Sequence, residues 1–161
     1  MSNGIETLRA SGLCMGMTEQ ELSDLLGASE LRIHAVNDRI VAEGTPSDCL
    51  FLIEEGRVRV EKASPVGAVL IATMGEAGDF FGEMSLIDIL PRSADVCAEG
   101  PVRLLAFPKR KLAEVFARFP RLQVNLILNI ARSLSLRLRE ADDRIVELSR
   151  QVKAGAGAQG R

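Results

Sequence analysis

The strongest constraint on this chain is the punctuation of residues 31–108. Short runs rich in Leu, Ile, Val and Phe recur there, and Gly, Pro, Asn or Asp closes each one at a spacing of about eight to twelve residues. The runs predict strands at Leu31–Ala35, Ile40–Ala42, Cys49–Glu54, Arg57–Lys62, Val69–Met74, Ser93–Ala98 and Val102–Phe107. Arg57-Val58-Arg59-Val60 alternates polar and apolar, as a strand with one buried face does. Glu55-Gly56 before it reads as a hairpin turn whose glycine supplies a positive φ. Such a series folds into a small barrel or sandwich.

Helical spacing brackets the strands. Thr18-Glu19-Gln20-Glu21 has the form of a capping box, and Leu22, Leu25 and Leu26 give the helix that follows its apolar face. After Pro108, Lys109 to Phe119 predicts a helix that Pro120 stops, and Arg121 to about Val152 predicts a much longer one. Residues 1–17 lack periodicity and read as a flexible arm. The expected division is therefore an arm over 1–17, a β domain with flanking helices over 18–119, a long helix over 120–152 and a disordered tail over 153–161.

The long helix carries a heptad pattern. With Val124, Ala131, Leu138, Ile145 and Val152 at position a, Ile127, Leu134, Ala141 and Leu148 fall at d. Ile127, Leu134, Leu138, Ile145 and Leu148 are the expected dimer contacts, and a homodimer is the expected assembly. In this register Arg137 takes a g position and Asp142 the following e, where opposite charges meet across a parallel pair.

Composition excludes several classes. A chain of 161 residues, 47% hydrophobic and 26% charged with net charge −2, is long enough for one core and carries no general field for nucleic acid. No apolar run is long enough to span a bilayer and no signal region opens the chain, so a cytoplasmic location is expected. The three cysteines, Cys14, Cys49 and Cys97, are dispersed among apolar neighbours and read as buried thiols rather than disulfides or a metal site. His34 is the only histidine, and no serine, cysteine or aspartate motif makes it part of a triad. Metal-ligand spacing is missing, so neither catalysis nor a metal or other cofactor is expected.

The stretch Phe80 to Val96, FFGEMSLIDILPRSADV, asks for an explanation, because an acid and a guanidinium sit nine residues apart in a largely apolar segment. Gly82 lets the backbone approach a ligand closely. Glu83 to Ile87 can form one helical turn whose first amides favour an anion. Arg92, returned by Leu90-Pro91, offers a planar fork for two oxygens of one phosphate, and Ser93 adds a hydroxyl. A ligand with one phosphate charge and a nearby sugar hydroxyl satisfies both Arg92 and Glu83. An internal Glu83 to Arg92 ion pair bracing the loop is the alternative reading of the same residues.

GDFFGEMSLIDILPRSADV resembles the phosphate-binding cassette of cyclic nucleotide-binding domains, whose pattern is F-G-E-hydrophobic-small-L, a spacer, then P-R-S/T/A-A. AEGTPSDCLFLIEEGRVRV is similar to the glycine-centred strand pair of that family, and the order of elements agrees over 18–150. The resemblance implies a mainly β fold: a jelly-roll-like β-barrel, or double-stranded β-helix, with an N-terminal helix and a long C-terminal helix. It implies that Arg92 grips the exocyclic phosphate oxygens, with Ser85, Ser93 and Ala94 completing the cradle, and that Glu83, beside Gly82, accepts from the ribose 2′-hydroxyl. The base would lie against Val60, Ala72 and Thr73, and Arg137 falls near the purine-contacting position of the family's lid helix. Ser93 leaves the choice between cAMP and cGMP open, with cAMP favoured.

The function expected is that of a regulatory module that binds the nucleotide without chemistry, changes conformation and signals to an effector protein. A dimeric scaffold that keeps the fold without responding to nucleotide is the alternative. A DNA-binding regulator is a third reading, set against the expectation that no helix-turn-helix domain follows Val152; nucleic acid and membrane are not expected partners.

Overall fold

The computed structural model describes residues 4–158. Chain contacts divide it into two compact units, the first ending at Asn129 and the second beginning at Ile130.

The first unit is built on eight strands. β1 (Glu30–His34), β8 (Val102–Pro108), β3 (Cys49–Glu55) and β6 (Phe80–Phe81) form one sheet in that order, and β2 (Arg39–Val41), β7 (Asp95–Ala98), β4 (Val58–Ser64) and β5 (Gly67–Met74) form the other. Every pairing is antiparallel. The architecture is the expected mainly β, jelly-roll-like one, with one correction: the two four-stranded sheets do not close into a barrel. Their inner faces meet in a core of Val41, Cys49, Phe51, Ile53, Val58, Phe81, Val96, Val102 and Leu104. Burying such side chains, each worth about 1.5–3 kcal/mol, supplies the main drive for folding the unit.

Local sequence explains the contrast between strands. β3 is buried on both faces from Cys49 to Glu54, because α1 packs against it from outside while alternate residues enter the core. It accordingly reads as a continuous apolar run. Gly56 precedes β4 with φ +95, and a Cβ there would stand 2.4 Å from the Pro101 carbonyl oxygen, so no other residue fits the turn without moving backbone. β6 is too short to show a period, and it forms by pairing Phe80 and Phe81 with Leu52 and Phe51. β7 starts at Asp95 rather than at Ser93, because the Arg92 and Ser93 main chains bond to a neighbouring turn and to a lysine instead of to a ladder.

The expectation of a flexible arm over 1–17 is overturned for its described part. α1 (Gly4–Ala10) and a 3-10 turn (Gly12–Cys14) are ordered there, with Leu8 and Leu13 fully buried. The segment is held from a distance: Ser11 Oγ donates to the Gly78 carbonyl at 2.6 Å, and Asn129 Nδ2 donates to the carbonyls of Leu13 and Met15, both at 2.9 Å. Residues 1–3 of that expectation lie outside the described residues. α2 (Glu19–Gly27) starts with the anticipated capping box, in which the Thr18 hydroxyl accepts from the Glu21 amide and the Glu21 carboxylate accepts from the Thr18 amide. α3 (Lys109–Arg118) ends at Phe119, and α4 runs from Pro120 to Ala158.

α4 belongs to both units, which shifts the expected boundary at 120. Leu122 and Leu126 are fully buried, so the first turns of α4 belong to the first unit. The second unit holds the rest of the helix. The helix continues past residue 153, where a disordered tail was expected, and the final part of that expectation, 159–161, lies outside the described residues. Along the heptad stripe Leu138, Ile145 and Leu148 are 63%, 60% and 53% exposed, so within one chain the stripe is open. No helix among the described residues is long and apolar enough to cross a membrane.

Candidate functional site

Gly82 sits at φ +78 and opens a 3-10 turn over Glu83–Leu86. The left-handed backbone costs a residue with a Cβ about 1–2 kcal/mol. Here the restriction is also steric, since a Cβ on Gly82 would lie 2.5 Å from Arg92 Nη1 and 2.8 Å from the Cys49 carbonyl oxygen. The bare glycine is what lets the guanidinium lie against the cassette backbone. The Ser85 amide donates to the Gly82 carbonyl at 3.3 Å, so this turn keeps fewer outward amides than an α-helical start would.

Arg92 is delivered from the far side. Its amide donates to the Thr45 carbonyl at 2.9 Å, and its own carbonyl accepts from the Gly44 amide at 2.8 Å. The side chain is 7% exposed, with Nη2 donating to the Cys49 carbonyl at 2.8 Å and lying 3.8 Å from Asp48 Oδ1. The guanidinium lies over the Phe51 ring, 5.8 Å from its centroid. Burial pulls the Arg92 pKa below its ordinary value, while the charges of Asp48, Cys49 and Glu83 act the other way. The direct ion pair of Arg92 is thus with Asp48, and Glu83 acts on it through its charge.

Among the described residues three buried side-chain atoms lack a hydrogen-bond partner: His34 Nε2, Ser85 Oγ and Arg92 Nη1. Two of the three belong to the cassette. A buried polar atom left unpaired costs about 1–3 kcal/mol, and one of the ordinary reasons for tolerating it is a ligand. Glu83 and Ser85 are both 3% exposed, Ser93 is exposed and Ala94 is half-buried. The fold therefore brings Gly82, Glu83, Ser85 and Arg92 together within one buried corner.

The base-pocket expectation divides. Val60 and Ala72 are paired in register, and Val60 packs against the inner core. Thr73 is paired with Arg59, one step along, so its side chain belongs to the opposite face. Met74, opposite Val58 and packed on the core, holds the inner position instead. A bulge at the next step, where Glu61 pairs with Leu70, makes the outer part of β5 harder still to place from spacing. Arg137 lies on α4 in the second unit.

Sequence reasoning missed three contributors: Asp48, the Phe51 ring beneath Arg92, and Lys62, whose ammonium donates to the Ser93 carbonyl at 2.6 Å. Each acts across strands that are far apart in the chain, and only the pairing register could have located it. The cysteines behave as expected. All three are free and buried, and burial pushes the Cys14 thiol up to about 12 and raises that of Cys49. Among the described residues no group of three or more His, Cys, Asp or Glu side chains is placed to hold a metal ion.

Comparison with known proteins identifies the family of the fold. The family model for the cyclic nucleotide-binding domain matches residues 32–119, more than half of the chain. The Cyclic AMP receptor protein of Thermus thermophilus is 30% identical over 84% of this chain and 61% of its own length. Glutaminase 2 of Bradyrhizobium diazoefficiens is 30% identical over 88% of this chain and 22% of its own length. The chain thus spans less than two thirds of either curated relative. Among solved structures, a cyclic nucleotide-binding domain from Methylobacillus flagellatus superposes with a TM-score of 0.79 at 31% identity, covering 89% of this chain and 80% of that one.

Proposed function

The chain belongs to the cyclic nucleotide-binding domain family, and from that premise we propose that it is a sensor module that binds cAMP in preference to cGMP and passes the binding event to a protein partner. The observation that carries the reading is Arg92: a buried guanidinium with Nη1 unpaired, lying against the bare backbone of Gly82. A cyclic phosphate is a fitting acceptor, because its exocyclic oxygens match the fork of a guanidinium. Ser85, Ser93 and Ala94 complete the cradle, Glu83 accepts from the ribose 2′-hydroxyl, and Val60 and Ala72 face the base. The preference for cAMP draws on the named ligand of the Thermus relative.

The domain's part in signalling is a population shift. Nucleotide moves the equilibrium between two arrangements of the cassette and of the helices after it only by its difference in affinity for the two. No bond is made or broken. Isothermal titration of the nucleotide-free protein with cAMP and with cGMP is expected to give saturable heat with both and the lower Kd with cAMP. A protein that yields no heat, and releases no nucleotide on extraction, sinks the reading. It would favour the scaffold alternative, which draws support from the contacts Arg92 already makes with Cys49 and Asp48.

The open stripe of α4 supports a homodimer through Ile127, Leu134, Leu138, Ile145 and Leu148. Sedimentation equilibrium is expected to return twice the chain mass at micromolar concentration, and the doubly substituted Leu138→Glu, Leu148→Glu protein the single mass. A monomeric wild type would remove the dimer from the proposal while leaving nucleotide binding intact.

A further inference from the structure

Lys62 lies on β4 two residues after Val60, with its side chain exposed. Its ammonium donates to the Ser93 carbonyl at 2.6 Å and to Glu43 Oε1 at 3.1 Å. Glu43 is fixed in turn. Its Oε2 accepts from the Ala63 amide at 3.0 Å, and its own amide donates to Asp95 Oδ1 at 2.7 Å. The two residues after Glu43 exchange main-chain hydrogen bonds with Arg92. The Ala63 amide and the Lys62 ammonium hold the Glu43 carboxyl below the usual carboxylate range, so at neutral pH the clasp is an ion pair.

The peptide group explains what this clasp does. In a planar trans peptide a carbonyl and the amide of the next residue point in opposite directions. Holding the Ser93 carbonyl towards Lys62 therefore aims the Ala94 amide the other way. Arg92 is held through its own main chain by Gly44 and Thr45, and the peptide after Ser93 is held through the bond from Lys62 to its carbonyl. An exposed ion pair alone adds little to stability, and Lys62 and Glu43 are 52% and 29% exposed. The clasp matters for direction.

We propose that Lys62 is a positioning residue of the nucleotide site, which orients the Ser93–Ala94 peptide so that its amide faces the cyclic phosphate, with Glu43 holding the ammonium in place. The assignment rests on the cyclic-nucleotide reading above. Lys62 itself does not touch the ligand.

The test is calorimetric titration with cAMP of the wild type, Lys62→Met, Lys62→Arg and Arg92→Ala, with thermal midpoints recorded without nucleotide. Met keeps the stem of the side chain and removes the cation and donor. Lys62→Met is expected to raise Kd roughly tenfold while its ligand-free midpoint moves by no more than about 2 °C. Lys62→Arg, which restores a charged donor, is expected to recover most of the loss. A Kd for Lys62→Met within twofold of wild type, or an arginine variant as weak as the methionine one, overturns the proposal while wild-type binding keeps the function. A wild type that binds nothing, or an Arg92→Ala protein that binds normally, overturns the cassette reading and this assignment with it.

Discussion

Arg92→Ala is expected to weaken nucleotide binding by thirtyfold or more while leaving the ligand-free domain about as stable as before. The first half follows from the position of the guanidinium, which is 7% exposed and has one nitrogen unpaired. Removing one partner of a buried, charge-assisted pair costs about 2–5 kcal/mol, which raises Kd by thirtyfold or more. The second half follows from what Arg92 contributes without a ligand. It makes one hydrogen bond to the Cys49 carbonyl and lies 3.8 Å from Asp48, a carboxylate that is 90% exposed. Against those gains stands the cost of taking the cation out of water, the same burial that lowers its pKa. The two effects oppose each other.

Thermal unfolding with and without cAMP separates them. In the wild type, nucleotide at a hundred times Kd is expected to stabilise the fold by about 2.7 kcal/mol. At the same nucleotide concentration Arg92→Ala, its Kd raised thirtyfold or more, should keep no more than about 0.9 kcal/mol of that stabilisation, with a ligand-free midpoint close to that of the wild type. A variant that keeps its nucleotide-induced shift would mean that the phosphate is held by something other than Arg92.

Phe51→Ala is expected to produce the largest loss of stability among the residues around the site. The ring is 2% exposed and stacks on Phe81 at a centroid distance of 5.0 Å with 18° between planes. It is part of the cluster that joins the two sheets, and its removal leaves a cavity that neighbours on fixed strands fill only partly. A buried Phe→Ala change costs about 3–5 kcal/mol, a large share of the roughly 5–15 kcal/mol that holds a domain folded. Urea unfolding followed by circular dichroism measures it. Binding should weaken as well, because the guanidinium of Arg92 rests over this ring and that of Arg32 lies 5.5 Å from its centroid. A cost below about 1 kcal/mol would contradict the packed core described here.

Much of the site was legible before the fold was known, for reasons that are local. Gly82 at a positive φ, a short turn carrying Glu83 and Ser85, and Arg92 after a proline are all choices a chain makes within a few residues. The heptad stripe of α4 is local in the same sense. Thr73 shows where locality fails. Ala72 and Thr73 are neighbours in a strand and point to opposite faces, so one of the two had to be misplaced, and only the pairing of Thr73 with Arg59 decides which.

Most of the strands and the later helices, the turns that punctuate them, and the acid and guanidinium of the cassette could be read from the chain, because propensity, capping and periodicity act between near neighbours. Packing against the rest of the unit is what orders residues 4–14 as a helix and a 3-10 turn with Leu8 and Leu13 buried. Tertiary structure alone placed Asp48 and the Phe51 ring around Arg92 and set Lys62 on the Ser93 carbonyl. Those contacts join residues far apart in the chain, and their geometry depends on strand register and on which face a side chain takes, quantities that no short stretch of sequence contains.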